Sequence, residues 1–179
     1  NFTGSTVSLS TYTLKLSANG NASWQTTYSF PSGAEINNQD VYVIANGSAT
    51  VCTSEYDDLN NSITAYNGND AIGLFKNDVL IDILGTLGDN TEYAENTTLV
   101  RNPTIDRPNT TFTASEWTSF PSNNCDDLGS HSQTLGVSST SIESLSMYPN
   151  PNNTNTLHFN YTEDLNVTVY DILGKQVLA

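Results

Sequence analysis

Apolar and polar residues alternate at period two along much of this chain, and no stretch sustains the 3.6-residue period of a helix. Tyr12-Thr13-Leu14-Lys15-Leu16-Ser17 alternates cleanly. Trp24-Gln25-Thr26-Thr27-Tyr28-Ser29-Phe30 does so again, and the spacing predicts one face shared by Trp24, Tyr28 and Phe30. Asn19-Gly20 lies between the two runs and reads as a hairpin turn. Val41-Tyr42-Val43-Ile44-Ala45 is continuously apolar, the pattern of a central strand buried on both faces, and Asn46-Gly47-Ser48 ends it. The polar stretch from Thr53 to Ser62, with Glu55, Asp57 and Asp58, reads as a loop.

Asn67-Gly68-Asn69-Asp70 is a second turn signal. Ala71–Lys76 and Val79–Leu84 then flank Asn77-Asp78, two β-favouring runs around two turn-forming residues. After a loop from Gly85 to Asn90, Thr98-Leu99-Val100-Arg101 is a short strand stopped by Pro103. Thr111-Phe112-Thr113 and Glu116-Trp117 are expected to supply a last edge before Pro121. Strands recurring at this spacing, in a chain rich in Ser, Thr and Asn, predict an all-β protein built as a β-sandwich.

A Ser/Thr-rich stretch, residues 132–146, has few large apolar side chains and reads as a linker between a first domain over 1–131 and a small second one over 147–179. In the latter, Leu157-Phe159-Tyr161 and Val167-Val169 alternate as strands. Leu173-Gly174 turns the chain toward a third, Lys175-Gln176-Val177-Leu178. Three short strands make a marginal sheet, so this piece is expected either to be poorly ordered or to lean on a partner.

Charge removes several functional classes. The 179 residues carry a formal net charge of −14, with 19 Asp and Glu against five Lys and Arg. Five scattered cations cannot form the basic stripe that neutralises phosphates, which argues against nucleic-acid binding by this chain alone and against an anionic membrane surface. No apolar run reaches bilayer length and no signal peptide opens the sequence. Asn1-Phe2-Thr3-Gly4 begins without a preceding strand and Ala179 stops just after one, so the chain is expected to be processed or part of a longer protein.

The two cysteines, Cys52 and Cys125, lack zinc-type spacing. In an oxidising compartment they are expected to pair, and closing so long a loop contributes roughly 4 kcal/mol in the chain-entropy picture; two separate thiols are the alternative.

Candidate chemistry is sparse. His131 and His158 lack triad partners, and no G-x-S-x-G elbow is present, so neither is expected to be catalytic and the chain is expected not to be an enzyme. Asp57-Asp58 and Asp126-Asp127 are adjacent pairs whose side chains diverge in extended backbone, and the EF-hand spacing is absent. Solvated loop acids are the expected reading; Asp57, Asp58 and Asp70 are the first ligands to test should calcium bind, and no other cofactor is expected. Trp24, Tyr28, Tyr42 and Trp117 read as core, with a sugar-binding platform as the alternative. The N-x-S/T sequons at Asn1, Asn21, Asn46, Asn60, Asn96, Asn109, Asn152, Asn160 and Asn166 read as compositional.

Two stretches resemble known families. Met147-Tyr148-Pro149-Asn150-Pro151, followed by Val167-Thr168-Val169-Tyr170-Asp171-Ile172-Leu173-Gly174-Lys175-Gln176-Val177, resembles the C-terminal sorting domain of proteins exported by the bacterial type IX secretion route. The resemblance implies a secreted or surface-attached bacterial protein, of the kind Bacteroidetes make, and recognition by the secretion machinery followed by removal or exchange for an anchor. Its usual final strands are missing. The residues expected to carry recognition are Tyr148, Pro149, Asn150, Pro151, Tyr170, Asp171, Leu173, Gly174 and Lys175: the prolines fix extended backbone, Gly174 permits the turn, and strand edges are read by β-augmentation.

Residues 1 to about 131 resemble a lamin-tail domain of the bacterial, secreted kind. The resemblance rests on Gly4–Leu14, Val41–Asn46, Tyr66–Leu74 (with Asn67-Gly68-Asn69-Asp70-Ala71-Ile72-Gly73-Leu74 the most distinctive), Asp82–Gly85 and Thr98–Arg101. It implies an immunoglobulin-like sandwich, here without the family's usual first strand. Such modules accompany secreted endonuclease I-type nucleases, so the chain reads either as a non-catalytic secreted module or as the accessory tail of such a nuclease. A surface adhesin or carbohydrate-binding module, with a cell-surface protein or a glycan as partner, is the third reading.

Overall fold

The structure is a computed structural model describing residues 1–134, 146–149, 156, 158–160, 168–170 and 175–178. It is all-β. The first unit, Asn1–Gly136, contains β1 (Val7–Ser8), β2 (Tyr12–Ser17), β3 (Thr26–Ser29), β4 (Glu35–Ile36) and β5 (Ile44–Ala45). It continues through β6 (Asp58–Leu59), β7 (Ala71–Lys76), β8 (Val79–Leu84), β9 (Thr97–Arg101) and β10 (Trp117–Pro121), with one 3-10 turn at Ala114–Glu116. The second unit, Val137–Ala179, contains β11 (Met147–Tyr148), β12 (His158–Phe159), β13 (Val169–Tyr170) and β14 (Gln176–Leu178).

The frame of the first unit is an antiparallel sheet in the order β3-β2-β7-β8. Its β7–β8 hairpin forms where the two turn-formers predict it: Asn77 and Asp78 adopt φ of 50° and 62°, the left-handed pair that a two-residue turn of matching twist needs. Register then decides the faces. Leu14 lies opposite both Tyr28 and Leu74, and Leu16 opposite Ile72, so these five side chains share one face. Leu16 and Tyr28 are buried there with Ile63, and Phe30 and Ile44 pack against them. Each such side chain contributes roughly 1.5–3 kcal/mol by leaving water.

The β9–β10 ribbon faces the same side of the sheet. Trp117 encloses, with Leu14, Ile72, Leu74 and Asp82, a gap of about 140 Å³. Two facing layers of antiparallel strands with apolar interior positions constitute a sandwich. Smaller two-stranded pairings complete the unit: β1 with β4 antiparallel, and β5 with β6 parallel.

Three local expectations are corrected. Trp24 does not share a face with Tyr28. It precedes β3 and folds to the opposite side of the sheet, where its ring meets Phe75 edge-on at 5.4 Å. Gly73 makes room for it: a Cβ at that position would lie 2.8–2.9 Å from Phe75, Leu80 and Trp24. Second, Val41–Ala45 is not a central strand. Only Ile44 and Ala45 pair, because Val43 is tied instead to the acidic loop, its N–H donating to Asp57 Oδ2 and its carbonyl accepting from the Asp57 and Asp58 N–H groups. Third, Thr111–Thr113 is not a strand; the Asn109 side chain accepts the Thr111 N–H and turns the chain there.

Candidate functional site

In the second unit the opening strand is fixed by its partner. Tyr148 lies directly opposite His158 and Met147 opposite Phe159, antiparallel. The Tyr148 and His158 rings stack, 5.3 Å between centroids and 19° between planes. Beyond the pair, the Asn160 N–H donates to the Ser146 carbonyl at 3.1 Å, and the Ser146 N–H donates to the Asn160 side chain. Pro149 follows the strand, where its missing N–H ends the ladder. The stacked pair remains accessible, with Tyr148 52% exposed and His158 exposed.

The second ribbon sets Tyr170 opposite Gln176, and Lys175 is exposed immediately before that strand. Asn150, Pro151, Asp171, Leu173 and Gly174, and the linker residues 135–145, lie outside the described residues. Among the described residues the pairings are two-stranded, and a two-stranded ribbon offers backbone edges to a further strand, a mode of recognition that needs no titrating group.

Residues 146–179 match the family model of the secretion system C-terminal sorting domain. No curated protein and no solved structure matches the chain. The match covers the Tyr148–His158 ribbon and the Tyr170–Gln176 ribbon, so the chain carries a C-terminal sorting signal for type IX secretion and is a secreted or cell-surface protein. Among the described residues no helix is long and apolar enough to cross a membrane.

Upstream of the sorting domain, the acids singled out in sequence are largely engaged. Asp57 Oδ2 accepts the Val43 N–H at 2.7 Å. Asp58 Oδ2 accepts the Tyr28 hydroxyl at 2.6 Å, and burial, reinforced by that hydrogen bond and the Asp58 charge, holds the Tyr28 phenol well above its ordinary value. Asp70, 2% exposed, uses both carboxylate oxygens on backbone: Oδ1 accepts Asn19 N–H at 2.6 Å and Oδ2 accepts Asn67 N–H at 2.8 Å. Among the described residues, no three His, Cys, Asp or Glu side chains converge where a metal ion could sit. Asp126 and Asp127 are exposed loop residues, and the His131 ring meets Phe2 at 6.0 Å.

The four aromatics of the alternative sugar platform are dispersed. Trp24 lies on Phe75, Tyr28 is buried, Tyr42 packs edge-on against Phe30, and Trp117 carries the Arg101 guanidinium over its ring. Cys52 and Cys125 are bridged, joining positions 73 residues apart.

Sequence reasoning missed the group around Arg101. Its Nη1 donates to Asp82 and its Nη2 to Glu116, both at 2.5 Å, and Asn109 Nδ2 adds a hydrogen bond to Glu116 at 2.7 Å. Asn109 and Arg101 hold the Glu116 carboxyl below its ordinary range. Asp82 belongs to the sheet and Glu116 to the 3-10 turn before β10, so one guanidinium clasps the two layers together. The signal in sequence was an arginine directly after the apolar pair Leu99-Val100 at the end of a strand. The other cations of this unit are also engaged: Lys15 with Asp78 and the Phe75 ring, Lys76 over Tyr12, and Arg107 with Asp106. The surface they leave is acidic, which suits an exported protein.

Proposed function

We propose that this chain is a non-catalytic module of a secreted bacterial protein whose terminal residues are read by the type IX secretion machinery for outer-membrane export or surface attachment. The observation that carries the reading is the sorting-domain match over residues 146–179. A disulfide between Cys52 and Cys125 fits passage through an oxidising compartment, and the acidic surface fits an extracellular one. Tyr148, Pro149 and Lys175, exposed or half-buried at the ends of short strands, are the described residues best placed for the machinery to contact. The upstream sandwich is read as a lamin-tail-like, immunoglobulin-type unit that binds a cell-surface partner or serves as a structural spacer. Its Arg101, Asp82, Glu116 and Asp70 side chains are committed to hydrogen bonds that hold the layers and turns together, an arrangement of a scaffold rather than a reactive centre.

The test is cell fractionation. The chain is expressed behind a signal peptide in a type IX-competent bacterium and in a strain lacking the outer-membrane secretion pore. Export in the first with periplasmic retention in the second supports the proposal; equal export in both strains overturns it. Nuclease activity of the purified chain would overturn the non-catalytic assignment.

A further inference from the structure

We propose that the first unit holds a binding site for a single neutral sugar ring, in the recess between the Asn67–Asp70 turn and β9. The recess has a volume of about 290 Å³, at the small end of ligand sites and sized for one pyranose rather than an oligomer. Its floor is apolar, formed by Ile72, Leu84 and Leu99. Two tyrosines stand in its walls. Tyr66 is 55% exposed at the mouth, and Tyr93 is braced behind by Phe112 at 4.9 Å.

The polar groups define the ligand. Among the described residues, neither the Tyr66 hydroxyl nor the Thr98 hydroxyl has a hydrogen-bond partner, although both line the recess. The Tyr93 hydroxyl donates to the Asp70 carbonyl at 2.5 Å, and the Thr97 hydroxyl donates to the Glu95 carbonyl at 2.8 Å; both oxygens keep lone pairs free to accept. Asp70 lines the site, but it is 2% exposed and its carboxylate oxygens accept the Asn19 and Asn67 N–H groups, so it presents its carbonyl side rather than its carboxylate to the recess. Hydroxyl acceptors, two tyrosines and an apolar floor match a ligand with several O–H donors and one apolar face. A neutral pyranose has both; a purely aromatic ligand would leave the Tyr66 and Thr98 hydroxyls unmatched.

Backbone hydrogen bonds shape one wall of the site. The Gly68 carbonyl accepts the N–H groups of Tyr93 and Ala94, each at 3.0 Å, which seats that segment against the turn. Gly68 has φ of +118°, and a Cβ there would lie 2.5 Å from the Glu95 backbone nitrogen, so glycine permits the approach that closes the wall. A preformed wall lowers the ordering cost of binding. A second recess, about 360 Å³, also carries two tyrosines, Tyr12 and Tyr42, but the Asn1 and Thr3 side chains that line it hydrogen-bond to each other and to nearby backbone, and the rest of its lining is apolar.

The test is a ¹H–¹⁵N NMR titration of the whole chain with the methyl glycosides of glucose, galactose, mannose, xylose and N-acetylglucosamine, and with phenol as the aromatic control. At least one glycoside should shift the amides of Gly68, Ala94, Thr97 and Thr98, with a dissociation constant on the order of millimolar. Tyr66→Ala should weaken that binding by roughly tenfold without lowering the melting temperature, since the ring is exposed. Thr98→Val should weaken it several-fold, while Tyr56→Ala, at an exposed tyrosine elsewhere, should leave it unchanged. The proposal is overturned if none of the glycosides shifts these amides at about 100 mM, if phenol does so and no glycoside does, or if Tyr66→Ala binds as tightly as the parent.

Discussion

The buried Asp70 carboxylate accepts the backbone N–H of Asn19 at 2.6 Å, tying together two turns 51 residues apart. Its other oxygen serves Asn67 within its own turn. Asp70→Ala would leave both N–H groups without their acceptor, at an expected cost of roughly 3 kcal/mol. Urea unfolding of parent and variant measures it; a difference within experimental error would show that water takes over both bonds.

Arg101 is the clasp between the layers. Arg101→Met should lower the denaturation midpoint of the first unit clearly, because Asp82 and Glu116 would then face each other without a cation. Replacing all three by apolar residues of similar volume should recover most of that loss. The comparison of denaturation midpoints separates the value of the ion pair from the cost of breaking it.

Glu116 makes stability depend on pH in a defined direction. Its native carboxyl is held below the ordinary 4.5 by Asn109 and Arg101. The resulting stabilisation is present in full above the unfolded value and is lost as pH falls through the lowered native one. Thermal melts between about pH 6 and pH 2 should therefore fall for the parent, and Glu116→Gln should flatten that slope. A parallel slope in the variant would assign the acid sensitivity to other carboxylates.

The bridge between Cys52 and Cys125 closes a loop of 73 residues. Paired Cys→Ser substitution should cost about 4 kcal/mol. Cys125 is exposed and Cys52 half-buried, so a small thiol reductant should reproduce the loss in the parent. A melting temperature indifferent to reductant would contradict this.

Elements whose determinants are local in sequence were legible before the structure. The β7–β8 hairpin follows from Asn77-Asp78, and the first strand face from the alternation of Leu14 and Leu16 with polar neighbours. The expected linker 132–146 is compositional, and residues 135–145 of it lie outside the described residues. What escaped depends on distant partners. Val41–Ala45 is apolar enough for a central strand, yet the loop acid Asp57 captures Val43. Trp24 keeps the parity of its run, but the strand begins after it and Gly73 admits the ring on the opposite face. Arg101, Asp82, Glu116 and Asn109 are scattered over some thirty positions and no periodicity links them. The Tyr66–Tyr93 recess was invisible for the same reason, because it forms only when the Gly68 carbonyl takes up the Tyr93 and Ala94 N–H groups.

Above all else in this chain, the terminal segment is an export address. The most direct measurement is the distribution, in a type IX-competent bacterium, of the full chain and of a version ending at residue 145, each behind the same signal peptide. The full chain should reach the cell surface or medium, and the shortened one should remain in the periplasm, folded and with its disulfide formed. Equal export of the two would contradict the account.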